Sequence, residues 1–168
     1  GVEPHSFEPK PADIFKIHDA DIFIYTDSAM EPWVADILSS IENKNLLIIN
    51  SGQGITLMEE SAEEGDSHKG ADPHIWLDLS NAQKMVDAIT EGFLHKDPAN
   101  KNIYAENGQA YKSLLDSLDS TYRTTLSRCK QHLIIHGGHF AFGYLAKRYS
   151  IKYMAAYGFS PDAEPSPK

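Results

Sequence analysis

Tyr104, Gly108, Tyr111, Leu115, Leu118 and Tyr122 are separated by alternating steps of four and three residues, the period of a helix with one continuous face. The spacing predicts a single helix from about Asn102 to Arg128, roughly 40 Å long at 1.5 Å per residue. In a chain of 168 residues such a rod reads as a strut between lobes rather than as part of one core.

The segments before the rod alternate between two periods. Pro11 suits the first turn of a helix running to about Asp19 with Ile14 and Ile17 inward. Asp21 to Thr26 is a short, almost wholly apolar run, as expected of a buried parallel strand. Glu31-Pro32-Trp33 opens a second helix in which Trp33, Val34, Ile37, Leu38 and Ile41 follow helical spacing. Leu46 to Ile49 is a second buried strand, closed by a turn at Ser51-Gly52-Gln53-Gly54. Residues 58 to 71 carry Glu59, Glu60, Glu63, Glu64 and Asp66 without apolar rhythm and read as a mobile acidic surface loop. Asp78 or Ser80 caps a helix ending near Lys96, before Asp97-Pro98. Beyond the rod, Leu133 to Ile135 reads as a strand, Phe140 to Tyr149 as a helix and Ile151 to Ala156 as a further strand. This alternation predicts an α/β layer fold with parallel sheets.

Composition narrows the function classes. Fifteen basic and 24 acidic side chains give a formal charge of −9, which argues against nucleic acid as a partner and mildly favours cations. No apolar run approaches the ~20 residues of a membrane helix, so the chain does not itself span a membrane in this form. The single cysteine, Cys129, excludes an internal disulfide and a cysteine-rich zinc site. GxSxG, HExxH, phosphate-binding and dinucleotide-binding glycine patterns are all missing from the sequence.

Among eight histidines, three sit in constrained settings. His74 lies in Asp72-Pro73-His74-Ile75-Trp76-Leu77-Asp78, where the proline fixes its own φ and pushes the preceding residue towards extended geometry. His5 lies in Glu3-Pro4-His5-Ser6-Phe7-Glu8-Pro9, and His139 follows Gly137-Gly138. Each falls in a loop beside a strand end or a helix start, the place where open α/β sheets bind ligands. Three imidazoles delivered to one ion is the expectation. His18, His95 and His132 read as surface residues, His68 lies in the acidic loop, and His136 closes a strand three residues before His139.

Gly1-Val2-Glu3-Pro4-His5-Ser6-Phe7-Glu8-Pro9, Asp72 to Asp78 and His139-Phe140-Ala141-Phe142-Gly143-Tyr144-Leu145 resemble the three metal-ligand motifs of the zinc and manganese solute-binding proteins of bacterial ABC transporters. Phe159-Ser160-Pro161 and Glu164-Pro165-Ser166-Pro167 also resemble that family. The resemblance covers nearly the whole chain in the family's order. It implies two parallel-sheet lobes joined by a long rigid helix: residues 1–100 as part of a metal-binding lobe, 101–128 as the linking helix and 129–168 as the start of a second lobe. It implies His5, His74 and His139 as metal ligands, with an acidic fourth ligand further along such proteins.

The resemblance also implies an extracytoplasmic receptor, periplasmic or a lipoprotein, that hands Zn2+ to an ABC-transporter permease and is not an enzyme. Both ends of the chain have loop composition and read as cuts through a longer protein of this kind, which leaves both lobes incomplete. Sheet edges exposed in this way would favour oligomers or exchange of elements between copies. Mn2+ is the alternative cargo, but members resembling manganese receptors carry a glutamate where this chain has His139, and imidazole suits zinc. Two readings from other classes are a zinc hydrolase, since three histidines and a water are also a catalytic set, and an adhesin-like surface protein.

Overall fold

The computed structural model describes residues 6–59 and 71–157. The chain divides into two compact units, Gly1–Gly54 with Gln83–Ser113 and Ile55–Ala82 with Leu114–Lys168. His5, His68 and the Phe159-Ser160-Pro161 and Glu164–Pro167 motifs lie outside the described residues.

In the first unit, helix α1 (Pro11–His18) leads into strand β1 (Ile22–Tyr25), helix α2 (Val34–Ser40) and strand β2 (Leu47–Asn50). Pro11 stands in the first turn of α1 as expected, and Asp13 Oδ2 accepts the Lys10 N–H at 3.2 Å, which satisfies a donor that a helix start leaves open. β1 and β2 pair in parallel from Ile22↔Leu47 to Tyr25↔Asn50. Ile17, Val34 and Ile49 form the buried apolar centre of this unit. Ser51–Gly54 is a turn, with Gly54 at φ 79°, a left-handed conformation that glycine adopts without steric penalty. Most of helix α3 (Leu79–Lys96) and the first half of helix α4 (Lys101–Leu126) complete the unit. They approach closely at Gly108, where a Cβ would come within 2.5 Å of Thr90 Oγ1. The long rod is therefore α4, 26 residues or about 39 Å.

The second unit is a βαβ unit with a small hairpin. Strand β5 (Leu133–His139), helix α5 (Gly143–Arg148) and strand β6 (Lys152–Tyr157) follow in order, and β5 pairs with β6 in parallel from Leu133↔Lys152 to His139↔Tyr157. Strands β3 (Met58–Glu59) and β4 (Ala71–Asp72) form an antiparallel pair. Ile75 is fully buried, and Leu115, Ala141, Tyr144 and Ala146 are buried with it.

Three expectations need correction. The strand expected over Leu133–Ile135 runs to His139, so His139 ends a strand instead of standing in a loop. The helix expected from Phe140 begins at Gly143, because Phe140–Phe142 serve other contacts: the Phe140 ring lies 4.6 Å from the Tyr153 ring, and the Ala141 N–H donates to Tyr153 Oη at 3.2 Å. The acidic segment is not loop throughout, since Met58–Glu59 pairs with Ala71–Asp72 and pins its two ends together.

Candidate metal centre

Asp72 ends β4 and Pro73 turns the chain into a short 3-10 helix, Ile75–Leu77. The turn brings the Asp72 carboxylate back onto the residue two positions later. Asp72 Oδ1 accepts the His74 N–H at 3.0 Å and lies 2.7 Å from His74 Nδ1. A carboxylate only accepts, so Nδ1 carries a proton, which leaves Nε2 as the nitrogen able to take a metal. Asp72 is 0% and His74 4% exposed, and the fully buried Ile75 anchors the segment. Tyr144 Oη donates to the Asp72 carbonyl at 3.0 Å and accepts the Met58 N–H at 2.8 Å, so it holds both strands of the hairpin.

His139 comes from the other side of the unit. The register of β5 against β6 shifts between His136 and His139, an irregularity of the kind that re-aims a side chain. The His136 ring turns away to its own partners: Nδ1 lies 3.2 Å from the His139 carbonyl oxygen and 3.3 Å from Tyr153 Oη. It also meets the edge of Phe142, with centroids 5.1 Å apart. A Cβ on Gly138 would come within 2.7 Å of that imidazole. His136 thus supports the strand end that carries His139.

The two remaining imidazoles meet tip to tip. His139 Nε2 lies 3.3 Å from His74 Nε2, with the rings tilted by 38°. A tetrahedral ion with nitrogen ligands at ~2.0–2.1 Å holds those nitrogens about 3.3 to 3.4 Å apart. The pair therefore has the edge length of such a site, and its Nδ1-anchored His74 is the carboxylate–histidine arrangement common around zinc. Among the described residues no group of three or more His, Cys, Asp or Glu able to hold a metal is present. His18, His95 and His132 are exposed, as expected. Sequence reasoning missed the roles of Asp72 and Tyr144, although the Asp-Pro-His spacing and the tyrosine five residues after His139 were both visible.

A network of charges joins the segment that follows His74 to α5 and α4. Arg148, in the last turn of α5, donates through NH1 to Asp78 Oδ1 at 2.7 Å and through Nε to Asp119 Oδ1 at 2.8 Å. Asp119, on α4, also accepts from Tyr149 Oη at 2.7 Å and from Arg123 Nε at 2.9 Å. Asp78 Oδ1 accepts the Ser80 N–H at 2.8 Å, which caps α3. The hydrogen bond from Arg148 holds the Asp119 carboxyl well below the usual carboxylate range. Burial, followed by the bond to Asp119, pushes the Tyr149 phenol up to about 12.

The family described as zinc-uptake complex component A, periplasmic, matches residues 1–168. The high-affinity zinc uptake system protein ZnuA of Bacillus subtilis is 42% identical over 174 residues, covering 98% of this chain and 54% of that protein. The zinc-binding lipoprotein AdcA of Streptococcus pneumoniae is 38% identical, covering 99% of this chain and 34% of that protein. The chain thus spans about half the length of the first relative and a third of the second. Among solved structures, the Zn(II)-bound ZnuA-like domain of Streptococcus pneumoniae AdcA superposes with a TM-score of 0.82 at 37% identity, covering 99% of this chain and 59% of that one. The laminin-binding adhesin Lmb of Streptococcus agalactiae, in a mutant structure, superposes with a TM-score of 0.86 at 30% identity, covering 99% and 61%.

Proposed function

The chain belongs to the zinc-uptake complex component A family, and from that membership we propose that it is part of a high-affinity receptor that captures zinc outside the cytoplasmic membrane and delivers it to an ABC permease. The observation that carries this reading is the 3.3 Å approach of His74 Nε2 to His139 Nε2. Zinc is held between them, while Asp72 keeps the His74 ring in the tautomer that binds through Nε2. His5 supplies a third imidazole, and a carboxylate or water fills the fourth position. Residues 1–100 and 129–168 contribute to two lobes linked by 101–128. His139 favours zinc over manganese, because three nitrogens make a site poor in the oxygen ligands that manganese prefers.

The site works as a binder and not as a hydrolase. Among the described residues Asp72 is the carboxylate bonded to His74, and it is fully buried and turned onto the backbone and ring of that residue. A general base must instead reach the proton of an attacking water. A position outside the cytoplasm fits a family described as periplasmic and a relative that is a lipoprotein, and no helix of the described residues is long and apolar enough to cross a membrane. Self-association remains part of the proposal. It rests on Leu133, Ile135 and Met154, which lie exposed on one face of the β5–β6 sheet, whereas parallel sheets are normally covered on both faces.

Competition with a chromophoric zinc chelator tests the reading. His5→Ala, His74→Ala and His139→Ala each weaken zinc binding by more than the ~10–100-fold typical of losing an outer-shell partner. Unchanged binding in any two of them overturns the shared site.

A further inference from the structure

The segment carrying His74 and the segment that follows His139 are tied together by one guanidinium. Asp78 stands four residues after His74, at the far end of the 3-10 helix, and Arg148 ends the helix that follows His139. We propose that Arg148 is a positioning residue for the two-histidine site: by holding Asp78 and the end of α5 to the Asp119 carboxylate of α4, it sets the separation of His74 Nε2 and His139 Nε2. The inference rests on the reading of that pair as metal-binding.

Three observations carry it. First, the guanidinium uses two different nitrogens on two different carboxylates, NH1 on Asp78 and Nε on Asp119. A planar fork fixes both partners at once, which a lysine ammonium on its flexible stem does not. Second, the side chains of Arg148, Asp119 and Asp78 are only 14%, 15% and 22% exposed. Removing such charges from water offsets much of their attraction, so a network of this kind contributes register more than net stability. Third, the His74 Nε2 to His139 Nε2 distance of 3.3 Å matches the edge of ~3.3–3.4 Å that a tetrahedral ion with the usual zinc–nitrogen distances needs. The rings that must meet it are carried on separate strands, β4 running into His74 and β5 ending at His139.

The test compares Arg148→Met, Arg148→Lys and Asp119→Asn with Leu115→Ala, which removes a buried apolar side chain from the same helix as Asp119. Zinc affinity, the visible spectrum of the cobalt-substituted protein and the thermal midpoint are measured for each. Arg148→Lys and Asp119→Asn are expected to fold, to lose zinc affinity by ~10–100-fold and to shift the cobalt bands. Leu115→Ala is expected to lower the midpoint without moving either metal readout. Arg148→Met follows the metal-site variants if it folds, and the other two carry the test if it does not. Folded Arg148→Lys and Asp119→Asn with unchanged affinity and unchanged cobalt bands overturn the inference, as does a Leu115→Ala variant that loses zinc as they do. Unchanged binding in both His74→Ala and His139→Ala instead overturns the reading of the pair, and the inference falls with it.

Discussion

Asp72 Oδ1 lies 2.7 Å from His74 Nδ1, with both side chains buried. The contact fixes which nitrogen faces His139, and in the proposed zinc site it makes Asp72 the carboxylate that orients the His74 ring. Such partners are worth 10–100-fold in metal affinity. Asp72→Ala is therefore expected to weaken zinc binding by about that factor, read by chelator competition, and Asp72→Asn, which retains an acceptor, by less. Equal affinity in Asp72→Ala and the unsubstituted protein would remove the carboxylate from the account.

Gly143 permits this contact. A Cβ there would stand 2.6 Å from Phe140 Cε1 and 2.8 Å from Asp72 Oδ2, and both neighbours are held in place. Gly143→Ala is expected to destabilise the protein by about 1–3 kcal/mol, as overpacking does, in urea unfolding, and to weaken zinc binding through the displaced carboxylate. A variant as stable as the parent would show that the Phe140 ring yields freely.

Tyr144 joins the hairpin to α5 through one hydroxyl. Tyr144→Phe leaves the Met58 N–H and the Asp72 carbonyl without that partner. The expected loss is about 1–3 kcal/mol, the penalty of leaving buried groups unsatisfied. Amide hydrogen exchange at Met58 reads the effect directly and is expected to accelerate.

The network at Asp119 gives a pH dependence of defined sign. Its carboxyl is depressed in the folded state, chiefly by the Arg148 hydrogen bond. Stability from this group is therefore full above the unfolded carboxylate value of ~3.9 and is lost as pH falls through the lower folded value. Tyr149 acts at the alkaline end. Its phenol is raised from 10.0 to about 12, so its contribution is full below pH ~10 and is lost as pH rises through the folded value. Asp119→Asn is expected to flatten the acid limb of a stability–pH curve and Tyr149→Phe the alkaline limb.

Much of the fold was legible because its signals are long or strongly periodic. The four-and-three spacing from Tyr104 to Tyr122 marks α4, and the apolar runs around Phe23 and Ile48 mark β1 and β2. His74 stood out through its proline, and His139 through its glycines. Those same glycines concealed the end of β5, since Gly137-Gly138 reads as loop while the ladder resumes at His139↔Tyr157 after a register shift. The start of α5 was misplaced because Phe140 and Tyr144 stand four residues apart, a helical spacing, yet Phe140 packs on Tyr153 and Phe142 on His136. The β3–β4 pair is two residues per strand, too short to carry a period. Arg148 and Asp119 look like ordinary helix-surface charges in sequence, and only the fold, which brings them within 2.8 Å across 29 residues, makes them partners.

In the proposed function His74 and His139 hold one zinc ion. Anomalous scattering at the zinc edge, from crystals grown without added metal, reads both the element and its ligands. A zinc peak within ~2.0–2.1 Å of both Nε2 atoms is the expected result. A peak liganded elsewhere, or a manganese signal at this position with none from zinc, would contradict it.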